Sequence, residues 1–215
     1  VCRGLFCYTT SMTLEEQVPL APLTTFRLGG AARFFVRVHD LAELKESLDF
    51  ARDQHLATLI LGGGSNVLVG DAGFDGLVIH IEMTGIEREG DLLIAAAGES
   101  WDGFVARAVA EGLWGIENLS GIPGTVGGAP VQNIGAYGSE VKDTLAWVEV
   151  LDTRTKEVSR VSKDACRFGY RTSVFKQEPG RFVIVRAAFL LKENGIPNAS
   201  YKDLSDIPRS NLGDI

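Results

Sequence analysis

The fold turns on one stretch, Leu119-Ser-Gly-Ile-Pro-Gly-Thr-Val-Gly-Gly-Ala-Pro-Val-Gln-Asn-Ile-Gly-Ala-Tyr-Gly138. It holds Gly121, Gly124, Gly127, Gly128, Gly135 and Gly138 and no charged side chain. A run this rich in glycine buries little side chain of its own. It is tolerable where main chain must pass close to something else, because glycine lets N–H groups approach a ligand and lets φ turn positive. Thr125, Gln132 and Asn133 add side chains that can hydrogen-bond a ligand. A flexible linker is the competing reading. Linkers are Ser/Gly-rich and polar, whereas Ile122, Val126, Val131 and Ile134 are apolar and need a core. The stretch reads better as an ordered, backbone-lined ligand site.

The 215 residues suffice for one large domain or two small ones. A hydrophobic content of 45% and a charged content of 23% describe an ordinary globular chain. The net charge is -7 with no compensating Lys/Arg cluster, which argues against a nucleic-acid partner. A local phosphate site needs no net positive charge, since helix ends and backbone nests suffice. Cys2, Cys7 and Cys166 form no Cys-x-x-Cys, and His39, His55 and His80 stand singly, so neither a disulfide framework nor a metal site is expected. No uncharged apolar run approaches the ~20 residues of a membrane span. A cytoplasmic monomer without a membrane partner is the expectation. Residues 1–11 lack a Met and are set aside as an extension, with Met12 as a candidate start.

Upstream, Ala32 to Val38 reads as a strand. Asp40 and Glu43 have capping-box spacing for a helix with Leu41, Leu44, Leu48 and Ala51 on one face. Thr58 to Leu61 is a second strand, which makes a β-α-β unit. Gly62-Gly-Gly-Ser-Asn66 follows, at the carboxyl end of a strand, where α/β folds bind ligands. It matches neither G-x-G-x-x-G nor the Walker pattern. Consecutive glycines can still form a nest of N–H donors for a pyrophosphate; a plain tight turn is the alternative. Further strands are Gly76 to Ile81 and Leu92 to Ala95. Ser100 caps a helix through about Glu111, with Phe104, Val105, Ala108 and Val109 inward and Gly112 at C′. Leu145 to Leu151 and Glu157 to Val161 form a hairpin, and Arg181 to Leu191 a long strand.

Between hairpin and long strand lies Cys166-Arg-Phe-Gly-Tyr-Arg-Thr-Ser-Val-Phe-Lys176. Its arginines could grip a carboxylate with a planar fork, or could simply be solvated on a surface loop.

With these pieces in place the chain resembles the UDP-N-acetylenolpyruvoylglucosamine reductase family. The resemblance rests on Thr25-Phe-Arg-Leu-Gly-Gly30, Leu59 to Leu68, Gly115 to Gly138 and Cys166 to Arg171, in the family's order and spacing from about residue 22 to 201. It implies an α+β, two-lobed FAD-binding fold of the vanillyl-alcohol-oxidase/PCMH type, with a small β-α-β lobe (12–84) and a larger mixed lobe (85–215). It implies FAD, with the pyrophosphate on Gly62, Gly63, Gly64, Ser65 and Asn66. The rest of the cofactor would lie along Ile122, Pro123, Gly124, Thr125, Gly127, Gly128, Ala129, Gln132, Asn133, Gly135 and Ala136. It implies NADPH as hydride donor and a UDP-sugar enolpyruvyl ether as substrate. Arg171 matches the catalytic arginine on the substrate carboxylate, and Tyr137, Tyr170 and Tyr201 match substrate-contacting positions. Thr172 stands where many relatives have Asp.

The family pattern also carries a Gly-Ser-Phe-Phe-Lys-Asn-Pro motif, whose serine donates a proton, and a late glutamate, in a third, substrate-binding domain. This sequence contains neither motif. The expectation is a truncated form that binds FAD and turns over poorly, since a missing general acid costs about 10²–10⁴ in rate. A non-catalytic FAD-binding remnant is the alternative. A flavin-dependent oxidase of small alcohols or lactones fits less well, because such substrates give Arg171 no carboxylate to hold.

Overall fold

The computed structural model describes residues 12–195, 198, 201 and 202; the extension expected over residues 1–11 lies outside them. Strands β1 (Leu14–Pro19) and β2 (Ala31–Val38) precede helix α1 (Leu41–Asp53). Strands β3 (Ala57–Leu61), β4 (Phe74–Ile81), β5 (Ile86–Glu89) and β6 (Leu92–Ala96) follow, then helix α2 (Trp101–Ala110). Short pieces come next: β7 (Leu113–Trp114), β8 (Gly135–Ala136), β9 (Ser139–Glu140) and α3 (Val141–Thr144). The chain closes with β10 (Leu145–Asp152), β11 (Val158–Ser162), α4 (Val174–Gln177), β12 (Phe182–Leu190) and β13 (Lys192–Glu193).

Two sheets organise these elements. The first runs β1-β2-β4-β3, with β4 parallel to both β2 and β3 and β1 antiparallel at the edge. The expected β-α-β unit is therefore present, but β4 lies between its two strands. Helix α1 covers this sheet through buried Leu44, Leu48 and Ala51, each leucine worth about 1.5–3 kcal/mol of apolar burial. Asp40 caps it, accepting from Glu43 N at 2.8 Å. The reciprocal bond is displaced by one residue: Glu43 Oε2 accepts from His39 N at 2.7 Å.

The second sheet runs β11-β10-β12-β6-β5 and is antiparallel throughout. The β10–β11 hairpin is the expected one. Its turn is held by Asp152, whose Oδ1 accepts from Arg154 N at 2.8 Å. Against this sheet α2 buries Trp101, Phe104, Val105 and Ala108. Trp101, Phe104 and Phe189 stack with centroids 5.1–5.9 Å apart. One cluster of apolar residues joins the sheets, with Val36 and Ile79 from the first packed with Leu151, Val183 and Val185 from the second. This is the two-lobed α+β arrangement expected, and its cleft opens where β3 meets the glycine stretch.

Candidate flavin cleft

Each wall of the cleft is a ribbon of main chain, and each ribbon is anchored from outside. The first, Gly62–Asn66, leaves the end of β3. Gly64 has φ +62°, and a Cβ there would come within 2.0 Å of Leu23 O. Thr25 N donates to Gly64 O at 3.1 Å, which seats the turn on the segment before β2. The second ribbon is tied to the start of α2. Trp101 Nε1 donates to Leu119 O at 2.9 Å, and Asp102 Oδ1 accepts from Gly121 N at 2.7 Å. Trp101 N donates to Gly124 O, Val126 N to Glu99 O and Gly127 N to Ala97 O.

The ribbons touch. A Cβ on Gly63 would lie 2.9 Å from Gly124 Cα, and one on Gly62 2.7 Å from Thr125 Oγ1. Several glycines that read as room for a ligand are thus room for the facing ribbon. Asn66 Nδ2 bridges the seam to Gln132 Oε1 at 2.9 Å. Beside this seam is a cavity of about 330 Å³ lined by Gly62, Gly63, Gly64, Ser65, Asn66, Ile122, Pro123, Gly124, Thr125, Gly128, Ala129, Gln132 and Arg171, among others. The N–H groups of Gly63, Gly64, Ser65 and Asn66 find no acceptor among the described residues. Consecutive unpaired donors on a glycine turn fit the phosphates of a dinucleotide.

Four residues expected along the cofactor do not line this cavity. Gly127 is pressed against Ala97, where a Cβ would meet Ala97 Cβ at 2.6 Å, and lines instead the third cavity described below. Asn133 is buried with its carboxamide bonded to Glu140, Gly169 and Lys142. Gly135 and Ala136 face a second cavity, of about 380 Å³, together with Tyr137, Glu140, Lys142, Tyr170 and Arg171. In that second cavity the Lys142 ammonium, followed by the Asn133 amide, holds the Glu140 carboxyl below its ordinary range.

Arg171 lines both cavities. Its φ is +52°, the guanidinium donates to Gly135 O at 3.1 Å, and Lys176 Nζ donates to its carbonyl at 3.0 Å. Non-glycine residues in this region of φ/ψ cost of order 1–3 kcal/mol and cluster at functional sites. Asn133 (+49°) and Tyr137 (+47°) share it. Tyr201 stands edge-on to Tyr137 at 5.7 Å, and Tyr170 is 86% exposed. Ser173 is fully buried and donates to Val131 O at 2.6 Å.

A third cavity, apolar and about 340 Å³, shares Ile60, Gly62, Thr125, Gly128 and Val131 with the first and continues it between Thr58, Leu59, Phe175, Pro179 and Val183. None of these last five was among the site residues expected from the sequence. They are ordinary strand, helix and loop residues that only the packing of the two sheets brings together. Cys166 is buried nearby in the core, and burial pushes its thiol up to about 12, which makes it inert. Among the described residues no group of His, Cys, Asp and Glu could hold a metal, and no helix is long and apolar enough to cross a membrane.

Paired ribbons, an N–H nest and adjoining apolar space between two sheets define a flavin-nucleotide-binding class of protein. Residues 32–162 match the family model described as FAD binding domain, and the chain belongs to that family. It is 46% identical over 187 residues to UDP-N-acetylenolpyruvoylglucosamine reductase of Streptomyces coelicolor, which covers 85% of this chain and 49% of that protein. It is 47% identical over 198 residues to the protein of the same name from Neisseria gonorrhoeae, covering 89% and 57%. The chain thus spans about half the length of the curated relatives it matches. The crystal structure of UDP-N-acetylenolpyruvylglucosamine reductase from Thermus caldophilus superposes with a TM-score of 0.74 at 30% identity, over 94% of this chain and 65% of that one. A BBE-like protein of Physcomitrella patens shares the fold, with a TM-score of 0.61 at 13% identity over 85% of this chain and 42% of that one.

Proposed function

We propose that this chain is the flavin-bearing portion of an NADPH-dependent reductase acting on UDP-N-acetylglucosamine enolpyruvate in the cytoplasm, with lobes at 12–84 and 85–215. The observation that carries the reading is the double placement of Arg171, on the flavin cleft and on the tyrosine-lined cavity beside it. Bound FAD supplies hydride-transfer chemistry. The chain's own residues bind and orient. The N–H groups of Gly63 to Asn66 hold the pyrophosphate. Ile122, Pro123, Gly124, Thr125, Gly128, Ala129 and Gln132 line the remainder of the cofactor. Arg171 grips the substrate carboxylate and stabilises the negative charge that develops towards it, which a positively charged fork held in place by Gly135 O can do without reorganising. Tyr137, Tyr170 and Tyr201 flank the substrate.

The test is a titration of the FAD-loaded chain with UDP-N-acetylglucosamine enolpyruvate, read from the flavin difference spectrum. Binding by the parent chain that weakens at least about tenfold in Arg171→Ala supports the reading, since charge-assisted bonds of this kind contribute about 1.5–3 kcal/mol. Equal binding by parent and variant contradicts it. NADPH oxidation at ordinary enzymatic rates would remove the expectation of poor turnover and exclude the remnant reading.

A further inference from the structure

Arg171 is the end of a chain of supports, and those supports converge on a residue that touches neither cavity. The loop carrying Arg171 is registered on the glycine ribbon at three alternate positions. Ser173 Oγ donates to Val131 O, Asn133 Nδ2 donates to Gly169 O at 3.2 Å, and Arg171 Nη2 donates to Gly135 O. Asn133 is the middle member. It is 1% exposed, and each of its polar side-chain atoms has a partner: Nδ2 also donates to Glu140 Oε2 at 3.1 Å, and Oδ1 accepts from Lys142 N at 3.0 Å. Glu140 lies opposite Gly135 in the two-stranded hairpin β8–β9. One buried carboxamide therefore fixes both the turn that starts two residues before Arg171 and the hairpin whose carbonyl receives its guanidinium.

We infer that Asn133 is a positioning residue for Arg171, setting the place of the guanidinium relative to the flavin cleft through Gly169 on one side and the Glu140–Gly135 hairpin on the other. The inference rests on the reading that Arg171 holds the substrate carboxylate. Asparagine is required because the site needs two donors and one acceptor in one planar group. Aspartate keeps the acceptor for Lys142 N but sets a second carboxylate against Glu140. The charged groups facing this pair are Lys142, whose ammonium meets Glu140, Asp143, which accepts from Glu140 N, and Arg171. Two carboxylates in contact share a proton as the pH falls, and the shared proton restores a donor between residues 133 and 140.

The experiment uses the FAD-loaded chain and UDP-N-acetylglucosamine enolpyruvate, with Kd read from the flavin difference spectrum. Asn133→Asp is expected to weaken substrate binding about tenfold at about pH 8 while FAD occupancy is retained, and to regain part of it at about pH 5, where one shared proton replaces one of the two lost donors. The double variant Asn133→Asp with Glu140→Gln reverses the donor and acceptor across the 133–140 contact but leaves Gly169 O without its donor, and is expected to recover part of the affinity at the higher pH. Parent-like binding by Asn133→Asp at both pH values, with Arg171→Ala impaired, overturns the positioning role and leaves the functional reading standing. Parent-like binding by Arg171→Ala overturns the functional reading itself. If Asn133→Asp loses its flavin, the double variant decides: a flavin-loaded protein whose substrate affinity lies between those of Arg171→Ala and the parent supports the inference, and one that binds no better than Arg171→Ala contradicts it.

Discussion

Asn66 Nδ2 donates to Gln132 Oε1 at 2.9 Å, joining the two glycine ribbons across the mouth of the cleft from positions 66 residues apart in sequence. Both side chains line the flavin cavity. A neutral bond of this kind contributes about 0.5–1.5 kcal/mol. Gln132→Ala is therefore expected to weaken FAD binding about three- to tenfold and, because the bond is present without FAD, to lower the melting temperature of the FAD-free protein by about 2–4 °C. Asn66→Asp should weaken it further, because a carboxylate then faces the phosphates. Quenching of flavin fluorescence during titration measures both.

Gly64 and Gly90 give a matched pair. Their φ values are nearly equal, +62° and +61°, but a Cβ on Gly64 strikes Leu23 O whereas nothing lies near one on Gly90. Gly90→Ala should cost only the left-handed penalty of about 1–2 kcal/mol. Gly64→Ala must also displace the Leu23 main chain, so it should cost more and lose FAD as well. Denaturant midpoints and flavin content of the two variants check this.

Phe189 meets both Trp101 and Phe104, and Trp101 in turn holds Leu119 O at the start of the glycine ribbon. Phe189→Ala is expected to destabilise the fold by about 3–5 kcal/mol. Because the cavity it leaves lies under the anchor of the ribbon, FAD affinity should fall with it. A conservative Phe189→Leu should keep most of both.

His80 links stability to pH. Burial pushes its pKa below the ordinary value of 6.5, with the Arg37 charge adding to that and Glu82 opposing it. The unfolded chain takes up a proton below pH 6.5 while the native imidazole resists until its lower pKa is reached. Stability therefore falls as the pH drops from about 6.5 towards the native pKa. His80→Gln removes this dependence, and denaturant unfolding between about pH 7 and pH 5 should show a flatter profile for the variant.

Much of this was legible in the residues. The strands around Phe35, Ile79 and Val148 follow from β-branched and apolar patterning, and the caps at Asp40 and Ser100 follow from side-chain chemistry within three residues. Strands β1 and β5 did not show, because Gln17, Glu87 and Glu89 give them a polar face, and their place at sheet edges is set by partners elsewhere in the chain. The glycine motifs pointed to the cleft. What they could not show is that Gly62, Gly63 and Gly124 serve the contact between ribbons, or that Gly127 serves the packing on Ala97. A missing Cβ looks the same in sequence whether ligand or main chain lies beside it. Asn133 read as a ligand for the same reason: a carboxamide in a glycine run says nothing of whether its hydrogen bonds point outward or are already made.

Two main-chain ribbons, one leaving β3 and one tied to the start of α2, are proposed to close on one FAD. The most direct measurement is the absorbance spectrum and flavin stoichiometry of the purified, folded chain after incubation with FAD and desalting. The expected outcome is a yellow protein with about one FAD per chain, whose flavin is lost in Gly64→Ala. A chain that unfolds cooperatively yet remains colourless after saturation with FAD would contradict it.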